Sequence, residues 1–222
     1  IWCIVKDNQG TLWLGTYFGG VNYFNPEYEI YTRYSYSSNE KKGLSNPVVG
    51  RTIEDKNGNL WIGTEGGGLN YYNRRTREFK WYRPQEGRNS ISHNNVKALY
   101  YDADKEIIWI GTHLGGLNKL DIRSGHFTHY RMEGNNPQSL PSDIIRDITP
   151  YKDLLIIATQ NGVCLFNPAN GQCRQLFKDS KEGKSIKMVA DVVFDSEGTL
   201  WIAATGEGVF SYRFDTRKLT NY

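Results

Sequence analysis

The residues of this 222-residue chain that could do chemistry are four histidines, three cysteines and a scatter of carboxylates. Hydrolysis or elimination on a sugar would need two carboxylates, or a histidine with a carboxylate, converging on one point. Glu65, Glu207, Asp147 and Asp191 are the acids placed to do so, and only their position recommends them. His93 lies in a polar connection, and His126 and His129 fall at outer-edge surface positions; His113 sits more interestingly, in a bend. No Ser-His-Asp set, HExxH, phosphate loop or paired-carboxylate motif stands out. Asp7, Asp55 and Asp195 each stand three residues before a glycine, as an aspartate that bonds the amides of a tight turn would. No pair of Cys3, Cys164 and Cys173 has metal-type spacing, so neither a metal nor a cofactor is expected. A hairpin turning on Asn167-Pro168-Ala169-Asn170 would set Cys164 opposite Cys173, which could then bond. Against this, Cys173 occupies a slot held elsewhere by Tyr31, Phe79, Phe127 and Leu219, which favours a small core residue.

The elements that must position these residues are announced by a phrase said five times. Asn59-Leu60-Trp61-Ile62-Gly63-Thr64 runs through Glu65 into Gly66-Gly67-Gly68-Leu69-Asn70, with close copies at Thr11 to Asn22 and Ile108 to Asn118. Worn copies run from Ile156 to Val163 and from Trp201 to Val209. The last glycine of each falls at 20, 68, 116, 162 and 208, in steps of 48, 48, 46 and 46 residues. Within the second copy, a strand-like stretch from Val48 to Glu54 and the turn Asp55-Lys56-Asn57-Gly58 lead to strands at Leu60–Thr64, Leu69–Tyr72 and Glu78–Tyr82. The turn lengthens at Asp102-Ala103-Asp104-Lys105 and shortens to Pro150-Tyr151-Lys152-Asp153. Polar linkers carry a single apolar residue (Leu44, Ile91, Leu140 or Ile186, the last following Ser185) expected to tuck under the next unit.

Four short antiparallel strands every 46–48 residues predict an all-β fold, a β-propeller of about five four-stranded blades. The repeats fall at about 1–47, 48–94, 95–143, 144–187 and 188–222 of a single array. The second-strand Trp is the expected spacer between blades, and the glycines let backbones approach closely. With 27 basic and 24 acidic residues, a formal net charge of +3, the chain is too balanced for a nucleic-acid or anionic-membrane binder. It opens on Ile1 without a signal sequence, which predicts an excised piece of a longer protein.

Blade topology puts the bend between the second and third strands on the same face as the linker into the next blade. Residues there that escape the repeat are the candidate ligand contacts: Tyr17, Phe18, Glu65, His113, Gln160 and Asn161. Polar residues on the inner strands join them, namely Arg51, Lys97, Arg146, Asp147 and Asp191. Aromatic faces beside hydrogen-bonding groups suit sugar rings. Arg74, Arg75, Arg77 and Lys80 read instead as a solvated turn on the opposite face.

The phrase D-x-x-G-x-L-W-I-G-T-x-x-G-G-L-N, nearly complete in the first three repeats and partial in the last two, resembles the two-component regulator propeller repeat. The resemblance implies the periplasmic, extracytoplasmic sensor region of a hybrid two-component histidine kinase from a polysaccharide-utilising bacterium. It implies an oligosaccharide ligand, and as partners the rest of the same sensor chain and a second receptor protomer. Relatives often carry seven-bladed propellers in tandem, so five repeats read either as a closed ring or as part of a larger array. The kinase belongs to the parent chain, and this fragment is expected not to be an enzyme. The rival readings are a propeller lyase or glycoside hydrolase, and a ligand-free interaction scaffold.

Overall fold

A computed structural model describes residues 1–25, 30–178 and 186–222, the side chains of Ile30 and Tyr31 excepted. Ser185 of the fourth linker therefore lies outside the described residues, as does the Tyr31 side chain. The sequence folds into five four-stranded antiparallel sheets, each with its strands in sequence order. The first blade is β1 (Cys3–Lys6), β2 (Leu12–Gly15), β3 (Val21–Asn25) and β4 (Ile30–Tyr34). The second is β5 (Val49–Glu54), β6 (Leu60–Thr64), β7 (Gly68–Asn73) and β8 (Glu78–Tyr82). The third is β9 (Val96–Asp102), β10 (Ile107–Thr112), β11 (Leu117–Asp121) and β12 (His126–Tyr130). The fourth is β13 (Ile145–Tyr151), β14 (Leu154–Thr159), β15 (Gly162–Phe166) and β16 (Cys173–Gln175). The fifth is β17 (Val189–Phe194), β18 (Leu200–Ala204), β19 (Gly208–Arg213) and β20 (Lys218–Asn221). This is the all-β propeller architecture that the repeat predicts.

Two compact units divide the chain: residues 1–112 with 118–128, and residues 113–117 with 129–222. In the first, Trp13 packs with Val21, Leu60, Ile62 and Tyr72, filling the space between blades one and two. Trp61 does the same between blades two and three, against Val96, Leu99, Ile108 and Ile110. The linker residues Leu44 and Ile91 are fully buried in these same clusters. In the second unit, Ile156, Val163, Val192, Ile202 and Phe210 join blades four and five, with the linker residue Ile186 among them. A four-stranded sheet has two apolar faces, and stacking on neighbours is what buries them.

Each turn aspartate holds more than its turn. Asp55 Oδ1 accepts from the amides of Asn57 and Asn59, while its Oδ2 accepts from the indole Nε1 of Trp61 at 3.2 Å. Asp7 repeats this with Gln9, Thr11 and Trp13, and Asp195 with Glu197, Thr199 and Trp201. One carboxylate thus fixes both the first hairpin and the ring that spaces the blades.

The last glycine of the repeat has a stereochemical cause. Gly68 sits at φ +81, and a Cβ built on it would lie 2.2 Å from the Tyr82 carbonyl oxygen. Gly68→Ala is expected to cost at least about 1–2 kcal/mol for the left-handed backbone alone, with the clash in addition. A thermal melt should therefore fall by roughly 4 °C or more.

Three local expectations are corrected. The fourth-blade turn is shorter than Pro150-Tyr151-Lys152-Asp153: β13 runs through Tyr151, and only Lys152 (φ 55) and Asp153 lie outside the strands. Pro150 is tolerated in that strand because β13 is the first of its sheet, with hydrogen-bonded neighbours on one side only. Second, Cys164 and Cys173 form a disulfide although they are not opposite one another, since the pairs are Phe166↔Cys173 and Cys164↔Gln175. The diagonal still brings their Cα atoms to 5.9 Å, within bonding range. Both are buried, so Cys173 fills the core slot and bonds at once.

The third correction concerns Arg74, which is not a solvated turn residue. Its side chain, 20% exposed, reaches Asp7 Oδ2 at 2.6 Å and Glu54 Oε1 at 3.2 Å, and its guanidinium lies 4.9 Å from the Trp13 ring centroid. It clamps blade two to blade one. Two anions and an aromatic face on one guanidinium offset the loss of its hydration.

Candidate ligand-binding face

The bends after the second strands and the linkers into the next blades are stitched together along one rim of each unit. In the first unit, the Gly20 amide donates to the Pro47 carbonyl, Glu65 N to Val48 O, and Gly68 N to Asn94 O at 2.7 Å. In the second, Gly116 N donates to Asp143 O, Gln160 N to Ile144 O and Thr205 N to Met188 O. Backbone bonds of this kind hold loop residues at fixed positions, which a preformed ligand site needs.

The first unit brings several candidates together. Tyr17 and Phe18 meet edge to face with centroids 4.4 Å apart, and Trp2 stacks on Tyr17 at 5.7 Å. All three are exposed (Trp2 56%, Tyr17 48%, Phe18 69%). Trp2 was not among the sequence candidates, although a signal existed. Counting back five from the turn aspartates gives Trp2 in blade one but Gly50 and Ala190 in blades two and five. Glu65 and Lys97 form an ion pair, from the bend of blade two to the first strand of blade three. Arg51 is half-buried on β5.

In the second unit, Arg146 Nη2 donates to Gln160 Oε1 at 2.9 Å, while Arg146 Nε is buried without a hydrogen-bond partner among the described residues. Asp147 Oδ2 accepts from Thr149 Oγ1 at 3.3 Å and the Val192 amide at 3.4 Å, tying blade four to blade five. Asn161 is held to Thr159 Oγ1 through its amide, and its side chain donates to the Pro141 carbonyl. Asp191 is exposed and accepts from the Val192 amide; His113 is half-buried in its bend. The histidines His126 and His129 lie exposed on β12, the outermost strand of its blade. Among the described residues, no group of three or more His, Cys, Asp or Glu is arranged to hold a metal ion. Among the described residues, no helix is long and apolar enough to cross a membrane.

The two component regulator propeller family model matches residues 1–18, 43–66 and 90–113, each ending in or just past a Trp-strand and its bend. The extracellular domain of the putative hybrid two component system BT3049 from B. thetaiotaomicron superposes with a TM-score of 0.80 at 26% identity, over 98% of this chain and 29% of that one. The extracellular domain of BT4673 from the same bacterium gives 0.79 at 23% identity, over 100% of this chain and 30% of that one. PorZ of Porphyromonas gingivalis, a surface component of the type-IX secretion system, gives 0.71 at 19% identity, over 94% and 31%. No curated protein matches the sequence. The chain thus spans less than a third of the length of the solved structures it matches. The family model thus matches the first three of the five repeats, and all five fold as four-stranded blades.

Proposed function

We propose that this chain is the ligand-sensing part of the extracytoplasmic, periplasmic region of a hybrid two-component sensor histidine kinase, that it binds an oligosaccharide, and that binding is relayed through the rest of the sensor chain. The observation that carries the reading is the exposed stack of Trp2, Tyr17 and Phe18 at the bend-and-linker rim of blade one. Three solvent-facing rings fixed by backbone bonds cost a protein stability unless something covers them, and sugar rings offer the matching apolar faces. The polar candidates behave as binders rather than reagents. The Glu65 carboxylate is engaged by Lys97, which leaves it a poor general base or nucleophile. The likeness to the extracellular domain of a putative hybrid two component system and the buried Cys164–Cys173 disulfide both favour an oxidising, extracytoplasmic compartment. Relay requires that ligand prefer one of two arrangements of a receptor dimer.

The test is a thermal-shift screen of the chain, and of a longer piece of its parent, against plant and host oligosaccharides. A ligand present at about 100 times its dissociation constant should stabilise by about 2.7 kcal/mol, and the double variant Tyr17→Ala/Phe18→Ala should abolish the shift. A shift that survives in that variant removes these rings from the site. Silence across the panel in both proteins leaves the rings as a docking face for protein.

A further inference from the structure

At the other end of the strands, where the Asp7 turn and the Arg74–Arg77 turn meet, blades one and two enclose a cavity of about 500 Å³. Four aromatic side chains, Trp13, Tyr23, Tyr34 and Tyr72, line it among polar ones. Three charged side chains line it: Asp7 is paired with Arg74, and Arg77, an exposed turn residue, is the remaining cation of the lining; Glu54 reaches Arg74 from outside the lining. Arg74 lines it as well, with its terminal nitrogens used by the two carboxylates.

The backbone at Arg77 points the same way. It sits at φ 59, in a left-handed position that Gly125 (φ 70) and Gly171 (φ 74) occupy in blades three and four. Blade five also has an arginine there, Arg217 (φ 55). An L-residue is disfavoured at such a position, and glycine would serve the turn better. In blade two the consequence is a guanidinium held at the cavity rim, close enough to the Tyr34 phenol to act on it electrostatically. Burial, and next the Tyr72 hydroxyl 2.7 Å away, hold that phenol above its usual value, so Tyr34 presents a neutral hydroxyl to the cavity.

We propose that this cavity is a second binding site, distinct from the aromatic rim, that takes a sugar acid of one or two rings through one carboxylate. The volume is within the range of small-ligand pockets. The tyrosine rings provide stacking and edge contacts for a pyranose, and Arg77 takes the carboxylate.

Isothermal titration with digalacturonate, and with cellobiose as the uncharged control, tests it on three proteins: wild type, Arg77→Gly, and Tyr17→Ala/Phe18→Ala. Glycine suits the turn conformation, so Arg77→Gly should fold with its melting temperature within about 2 °C of wild type. The expected result is digalacturonate binding at least about tenfold tighter than cellobiose. That advantage should be lost in Arg77→Gly and retained in the Tyr17→Ala/Phe18→Ala protein. Absence of digalacturonate binding at millimolar concentration, equal binding of cellobiose, or unchanged binding by Arg77→Gly would each overturn the proposal. Loss of binding only in the Tyr17→Ala/Phe18→Ala protein would assign the sugar acid to the aromatic rim and overturn the second site alone.

Discussion

Trp61→Ala is expected to lower stability by about 3–5 kcal/mol, the usual cost of emptying a buried indole site. Trp61 is 2% exposed and lies against Tyr71 and Tyr82, with ring centroids at 4.7 and 5.7 Å. Its loss opens a cavity between two sheets that the surrounding side chains can fill only in part. Trp61→Phe separates volume from hydrogen bonding: it keeps much of the packing but leaves Asp55 Oδ2 without its indole donor, and should cost about 1–2 kcal/mol. Chemical denaturation of the two variants, with Asp55→Asn to close a double-mutant cycle, measures the indole–carboxylate coupling directly. Equal losses for Trp61→Phe and Trp61→Ala would mean that the hydrogen bond, rather than the ring, holds the blades apart.

Asp7→Ala should be comparably severe, at about 3–5 kcal/mol, because it takes one of two carboxylates from a largely buried guanidinium, leaves the Trp13 indole without its acceptor and opens a turn. Asp7 is 7% exposed and receives Gln9, Thr11, Trp13 and Arg74. Burial alone would raise its pKa. The bonds from Trp13, Thr11, Gln9 and Arg74 outweigh that and leave the carboxyl below its ordinary value. Because the folded pKa is depressed, the stabilisation is fully present above the unfolded value of about 4 and disappears as pH falls through the folded one. Melts between pH 7 and pH 2.5 should show wild type losing stability below about pH 4. Asp7→Asn, less stable at pH 7, should lose less over the same range. Parallel pH curves for the two proteins would remove Asp7 from the acid response.

Much of the architecture is written in the sequence because it is carried by local rules. Hairpin turns, alternating strands and the single apolar residue of each linker are decided within a few residues, and Leu44, Ile91, Leu140 and Ile186 are buried as expected. What the sequence hides is whatever depends on a partner far along the chain. Asp7 and Arg74 are 67 residues apart, and nothing in the run Arg74-Arg75-Thr76-Arg77 distinguishes the arginine that turns back from those that face water. The same holds for Cys173, whose bond depends on a hairpin register that the six residues from Asn167 to Gln172 leave open. For the aromatic rim, Tyr17 and Phe18 stand out because they interrupt a glycine-rich bend. Trp2 becomes visible only when blades are aligned on their turn aspartates. Glu65 and Lys97 were separate candidates in the sequence; that they are a pair follows from the fit of two blades.

The linkers also say where such a chain can be cut and rejoined. Leu44 is buried with residues of blades one and two, and the amide next to it, Ser45 N, donates to the side chain of Asn70 in the third strand of blade two. Ser92 N is bound in the same way by Asn118 of blade three. These two linker tails are therefore fastened to the blades that follow them. A transferable cassette starts before the buried leucine, near residue 43, rather than at the first strand, near residue 48. Swaps that split Leu44 and Ser45 from Asn70 would carry a blade without its fastening and leave a buried amide acceptor empty. Splices made a few residues earlier move the blade and its peg together, which is how an array of this kind can change length without loss of packing.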